Sequence, residues 1–243
     1  MSSVRRLFAA LVGMMGLRLG YASFRPIYVA WVLAMAASLF AYGQTFVWGA
    51  LNPPAMRQAA LVYVVAVWLF YYGGLSLVLG TGLRRRLVER LGEAGARRVF
   101  CAVLGVAFLN QALAQGAVMQ SWSGSIVASV RWPLTGAAYT LILCGTGVKL
   151  WATYASSLDT YYYVDMLIGH PVAADDKPVT NGPFRWFRNP MYGVGNLHAY
   201  GSALVAMSWQ GLLVAGIYHA SLYTFYVLLE RPFVARTYAR APR

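Results

Sequence analysis

Long apolar runs separated by short basic or polar stretches set the pattern of this chain. Four of them, Ile27–Leu51, Ala59–Leu83, Val99–Trp122 and Leu134–Leu158, are long enough for an α-helix to cross the roughly 30 Å hydrocarbon core of a bilayer. A fifth, Met191–Leu229, is too long for a single crossing. Ser208-Trp209-Gln210-Gly211 lies at its midpoint and supplies polar and turn-forming residues, so this run is expected to fold as a helical hairpin. The pattern predicts an all-α, polytopic transmembrane helical bundle of about five to six spans ending in that hairpin. Leu7–Leu17 follows Arg5 and Arg6 as in a signal sequence, but no small-residue cleavage site precedes Arg18. An uncleaved amphipathic or interfacial segment is expected there.

Composition agrees with the pattern. Charged residues are 11% of the chain and hydrophobic residues 59%, whereas a soluble domain carries about 25% charged residues. The basic residues orient the bundle. Arg5, Arg6, Arg18 and Arg25, the six arginines of a basic loop over residues 84–98, Lys177, Arg185 and Arg188, and the four arginines from Arg231 to Arg243 fall on one side of a six-span arrangement. Only Arg57 and Arg131 fall on the other, and Lys149 lies within the fourth span. The positive-inside rule makes the crowded side, with both termini, cytoplasmic. The net charge of +13 therefore reflects topology and attraction to anionic headgroups rather than nucleic-acid binding. Glu89 and Glu93 sit at helical spacings from Arg86, Arg90 and Arg97 and read as a solvated helix face. Cys101 and Cys144 lie in apolar runs with no CxxC spacing and read as small core residues; no metal site is expected.

Three features of the chain from Leu134 onward carry chemistry. Glu230 closes the last apolar run, where an ionised carboxylate needs a partner or a polar cavity. It suits either an interfacial ion pair with Arg231 or Arg236, or a contact to a cationic ligand. Gly145-Thr146-Gly147 lies one helical turn before Lys149; the glycines allow a second helix or a ligand to come close. Asn181–Tyr192 combines a Gly182-Pro183 turn, two guanidiniums suited to carboxylate or phosphate, and Asn189-Pro190 leading into the next helix. A juxtamembrane basic-aromatic anchor explains its residue types but not their order.

That order resembles the phospholipid N-methyltransferases of the phosphatidylethanolamine methyltransferase family, within a wider membrane group that includes isoprenylcysteine carboxyl methyltransferases. Asn189-Pro190-Met191-Tyr192 is similar to the family's N-P-M-Y, Gly145-Thr146-Gly147-Val148 to its G-x-G-V, and Glu230-Arg231-Pro232-Phe233 to its E-E-P-F. The resemblance begins near Leu134. It divides the chain into N-terminal transmembrane helices, 1–133, and a methyltransferase core, 134–243. Arg231 stands where the family has a second Glu, Asn189 where the wider group often has His, and Asp159–His170 lacks the family's glycines.

The resemblance implies S-adenosyl-L-methionine as cofactor, with Gly145, Thr146, Gly147, Asn189, Tyr192, Glu230 and Arg231 around it. It also implies a membrane phospholipid acceptor methylated at nitrogen, phosphatidylethanolamine or its mono- or dimethyl form. An acceptor amine must be deprotonated before it attacks, and Glu230 and His198 are the candidate bases, His219 less so. Lys149, Arg185 and Arg188 are candidates for the lipid phosphate. Tyr192, Phe184 and Trp186 offer aromatic faces to a sulfonium or methylated ammonium. A different acceptor, such as a prenylcysteine carboxylate, and a non-enzymatic lipid-binding protein stand as alternatives. The family's eukaryotic type implies the endoplasmic reticulum membrane, and a bacterial origin the inner membrane.

Overall fold

A computed structural model describes residues 3–16, 25–47, 53–126, 131–171 and 179–238, and every element among them is helical. Helix α1 (Ser3–Met14) precedes α2 (Arg25–Tyr42) and α3 (Pro53–Trp68), which continues through a π-helical turn, Leu69–Gly73, into α4 (Gly74–Gly80). Then come α5 (Leu83–Ser121), α6 (Arg131–Ser156), and two short helices, α7 (Leu158–Tyr161) and α8 (Val164–Ile168). The hairpin is α9 (Leu197–Val205) and α10 (Trp209–Phe225), the latter extended by a second π-turn, Tyr226–Glu230, into α11 (Arg231–Tyr238). Arg18, Lys177, Arg240, Arg243 and the C-terminal ends of the Ile27–Leu51 and Leu7–Leu17 runs lie outside the described residues.

Four of these helical segments are long and apolar enough to cross a membrane: Pro26–Thr45, Pro54–Gly80, Leu83–Ser121 and Trp209–Tyr238. The expected fourth span is a 26-residue helix, α6, but it falls short of that apolarity. Thr135, Thr140, Thr146 and Lys149 dilute its hydrophobic character. The first arm of the hairpin also differs from expectation, because α9 is only nine residues, about 14 Å, and cannot cross alone. Turns and a 3₁₀ segment (Val194–Asn196) complete the arm. Non-α backbone is tolerable at that depth because it is packed against protein. Gly195 lies on Lys149, Gly145 on the backbone of Leu197 and His198, and Gly201 on Ala138 and Ile142. The turn between the arms is where the sequence places it: Ser208 Oγ accepts from Gly211 N at 3.0 Å and caps α10.

The two ends of the bundle differ chemically. At one end the hairpin tip binds the segment after α5: Gly124 N donates to Ala206 O, Ile126 N to Met207 O and Trp209 N to Ser125 Oγ. The opposite end gathers the basic head of α5, α7, α8 and α11. There Arg97 pairs with Asp159, His170 with Glu93, and Tyr238 donates to Asp165. The basic stretch 84–98 is helical rather than a loop. Gly92, at φ 66°, breaks α5 so that its charged head departs from the direction of the membrane part. His170 keeps its proton to higher pH than a free imidazole, first because Glu93 accepts its hydrogen bond and then because the Pro171 carbonyl does.

Candidate active site

Glu230 ends the π-turn that follows α10. Such a turn carries one residue more per turn than α-helix, shifting the faces that follow, and it recurs at functional sites. It sets Glu230 against Tyr192, whose hydroxyl donates to Glu230 Oε2 at 2.5 Å. The Tyr192 and Tyr163 hydroxyls are also hydrogen bonded, at 3.1 Å. With the single Tyr192 proton on Glu230, Tyr163 is the donor in that pair. Tyr192 and Tyr163 are buried, and Tyr192 packs edge-on to Tyr226 at 5.8 Å between ring centres. Asn189 holds the approach to Tyr192: its Oδ1 accepts from Tyr192 N at 3.3 Å.

These groups line a cleft of about 210 Å³ at the basic end of the bundle. Its acidic side chains are Glu230 and Asp165, its cation is Arg188, and Phe184, Tyr226, Phe233 and Tyr238 give it aromatic walls. Asp165 is 9% exposed, and Tyr238 donates to its Oδ2 at 3.2 Å. Tyr163 occupies left-handed backbone, φ 56° and ψ 29°, between α7 and α8. A bulky residue pays for that conformation, and such strain concentrates at functional sites. It separates three consecutive tyrosines: Tyr162 donates to Gly13 O and anchors α1, whereas Tyr163 faces the cleft.

Of the residues singled out from the sequence, Glu230, Tyr192, Asn189, Arg188 and Phe184 meet in this cleft. Gly145, Thr146 and Gly147 do not line it. Gly145 is taken up by the close approach of α9, and a side chain at Gly147 would meet open space. Arg231 turns away from Glu230 into a neighbouring groove with Trp186, Phe187, Arg188 and Tyr223. Arg185 is exposed at the end of a 3₁₀ turn and lines neither. Lys149 and His198 lie deeper, on an interior cavity between α5, α6 and α9, where His198 Nδ1 is 2.8 Å from Gly195 O. His219 sits between the hairpin arms, with Nδ1 3.0 Å from the Tyr200 hydroxyl. Sequence reasoning missed Tyr163, Asp165 and Tyr226. The available signal was a Tyr-Tyr-Tyr-Val-Asp run in the chain's one substantial polar insertion. No group of three or more potential metal ligands occurs among the described residues.

The family comparison falls on the part of the chain that builds this cleft. Residues 134–241 match the sequence model of the phospholipid methyltransferase family. A phosphatidylethanolamine N-methyltransferase of Neosartorya fischeri is 29% identical over 119 residues, which is 49% of this chain and 12% of that protein. The enzyme of the same name from Paracoccidioides lutzii is 32% identical over 119 residues, 49% of this chain and 11% of that protein. That of Aspergillus fumigatus is 29% identical over 119 residues, with 49% and 12% covered. The chain thus matches only about a tenth of each relative's length, and no solved structure matches it. Residues 134–241 therefore resemble the phospholipid methyltransferase family in sequence.

Proposed function

We propose that the protein is an S-adenosylmethionine-dependent phospholipid N-methyltransferase, acting on phosphatidylethanolamine or its mono- or dimethyl form, with its cofactor in the Glu230 cleft. The observation that carries this reading is the Tyr163–Tyr192–Glu230 hydrogen-bonded series at the end of the bundle, in a family segment of matching kind. The donor set fits the cofactor. Two carboxylates suit its amino and sulfonium charges, a guanidinium suits its carboxylate, and the aromatic walls suit an adenine ring. By the positive-inside rule this end is cytoplasmic, where a soluble cofactor and a membrane-held acceptor meet.

When bound, the cofactor supplies a methyl group on a sulfonium, open to in-line displacement. The protein's part is positioning and charge placement. Asp165 and Arg188 orient the amino-acid end, and Asn189 holds Tyr192 toward the reacting centre. The acceptor arrives as an ammonium and must lose a proton before its lone pair attacks. Glu230 receives that proton through the Tyr192 hydroxyl. Bound there, the cofactor would give its methyl to the deprotonated amine and leave as the neutral thioether, with the amine's proton already on Glu230. Gly145 contributes indirectly, since its lack of a side chain lets α9 settle on α6 and brings Asn189–Tyr192 into register. Arg231 and Arg188 face the headgroup layer in the adjoining groove. In a eukaryote the membrane is that of the endoplasmic reticulum.

The test is incubation of purified protein with methyl-labelled S-adenosylmethionine and phosphatidylethanolamine liposomes. Label in the lipid is expected. No label in lipid and no cofactor binding by calorimetry would remove the enzyme reading, and label in a prenylcysteine acceptor would replace the substrate.

A further inference from the structure

Beneath the Glu230 cleft the bundle contains a polar chamber at membrane depth. Two connected cavities form it, of about 60 and 320 Å³, sharing Gln111, Gln115, Lys149, Tyr161 and Asn196. Tyr163, Met191 and Tyr192 line both the smaller cavity and the Glu230 cleft, so the chamber and the cleft share a wall. Lys149 is seven residues from the end of α6, about 10 Å along the helix axis from the basic end.

Several of the chamber's polar groups are unmatched. Among the described residues the Lys149 ammonium, the Gln115 and Asn196 amides and the Tyr161 hydroxyl have no hydrogen-bond or ion-pair partner, and no carboxylate lines either cavity. Groups of this kind inside a bilayer are costly unless something satisfies them, and they mark functional sites. The smaller cavity presents the uncompensated cation of Lys149. The same cavity presents Tyr163 and Tyr192, the latter bound to Glu230. Tyr71, Tyr72 and Tyr218 add aromatic faces to it. An anion alone would satisfy the lysine and leave the tyrosines idle; a cation alone would be repelled by the lysine. A ligand with a phosphate and an ammonium joined by a short linker satisfies both.

We propose that this chamber receives the zwitterionic headgroup of the acceptor phospholipid, its phosphate on Lys149, Gln115 and Asn196 and its amine against Tyr163 and Tyr192. This rests on the methyltransferase reading for the identity of the amine. It also gives the N-terminal helices, which lie outside the matched segment, a direct part in acceptor recognition: Tyr71, Tyr72, Gln111 and Gln115 come from that half of the chain.

The experiment uses full-length protein in mixed micelles, with KM measured separately for phosphatidylethanolamine and for cofactor. Lys149→Gln and Gln115→Leu are each expected to raise the lipid KM about tenfold or more, the scale of a lost hydrogen bond to a charged group. Cofactor KM is expected to stay within about twofold, and Lys149→Arg to recover most of the lipid affinity. An unchanged lipid KM, or an equal rise in both constants, overturns the proposal. A second arm reads binding without turnover, by native mass spectrometry of lipid retained in the absence of cofactor. Phosphatidylethanolamine is expected to be held in preference to phosphatidylglycerol, and to be lost in Lys149→Gln. Retention through Lys149 without any methyl transfer would keep the chamber and remove the methyltransferase reading. Methyl transfer with a lipid KM indifferent to Lys149 and Gln115 would do the reverse.

Discussion

Replacing Tyr192 by Phe removes one oxygen and leaves the ring. The edge-on contact with Tyr226 at 5.8 Å and the burial of the side chain are both kept. What is lost is the hydroxyl that donates to Glu230 and accepts from Tyr163. The two bonds differ in kind. A hydrogen bond to a charged group contributes about 1.5–3 kcal/mol, and one between neutral hydroxyls about 0.5–1.5 kcal/mol. Tyr192→Phe strips the only hydrogen-bond partner that Glu230 has among the described residues. The expected loss in kcat/KM for cofactor is therefore roughly 10- to 150-fold. Tyr163→Phe leaves the Glu230 bond in place and should cost only about 2- to 12-fold. The assay is initial-rate transfer of labelled methyl to phosphatidylethanolamine at varied cofactor, with circular dichroism and a thermal scan in detergent to establish folding. If Tyr192→Phe and Tyr163→Phe lose activity equally, or if Tyr192→Phe is within twofold of the parent protein, the charge-assisted series does not operate as described.

Glu230→Ala should weaken cofactor binding sharply in calorimetry, whereas Glu93→Ala, on the exposed head of α5, should leave it unchanged; equal effects would displace the site from the Glu230 cleft. Gly201→Val would set a side chain 2.5 Å from Ala138 O and 2.8 Å from Ile142 Cγ1, so α9 must lift from α6 at a cost of about 1–3 kcal/mol, read as a lower unfolding temperature in detergent. Ser208→Ala removes the cap of α10 at the hairpin tip, with an expected cost of about 0.5–2 kcal/mol by the same measurement. For His170 the folded pKa lies above the unfolded value, because Glu93 and the Pro171 carbonyl accept its hydrogen bonds. That contribution is fully present below the unfolded value and is lost as pH rises through the folded one; an imidazole resonance followed by NMR should titrate higher than in Glu93→Gln, and coincident curves would contradict it.

Part of the architecture was legible because it follows from local rules. A bilayer has no water to satisfy backbone groups, so apolar runs of spanning length must be helices. The arginine distribution likewise separated the ends of the bundle, and Ser208 at the centre of the last run placed the hairpin turn. Two details were not legible. The sequence made Lys149 of α6 a candidate for the lipid phosphate, but only the packing shows that it faces an interior chamber. The first hairpin arm read as a full helix because residues 191–205 are apolar enough; the packing of Gly195, Gly145 and Gly201 allows its non-α stretch.

The sequence by itself determined that this is a helical membrane protein with a basic end, and its motif order grouped Glu230, Asn189 and Tyr192 by resemblance. These are properties of order and composition, carried by the chain wherever it folds. Only the tertiary structure decided who stands beside whom. It turned Arg231 away from Glu230, packed Gly145 under α9, and brought Tyr163 and Asp165 to the cleft from an insertion with no recognisable motif. It also joined Gln111 and Gln115 of α5 to Lys149 of α6. Such pairings depend on helix crossings and on the extra residue of a π-turn. A shift of one residue in register turns a side chain about 100° around its helix, which no local pattern encodes.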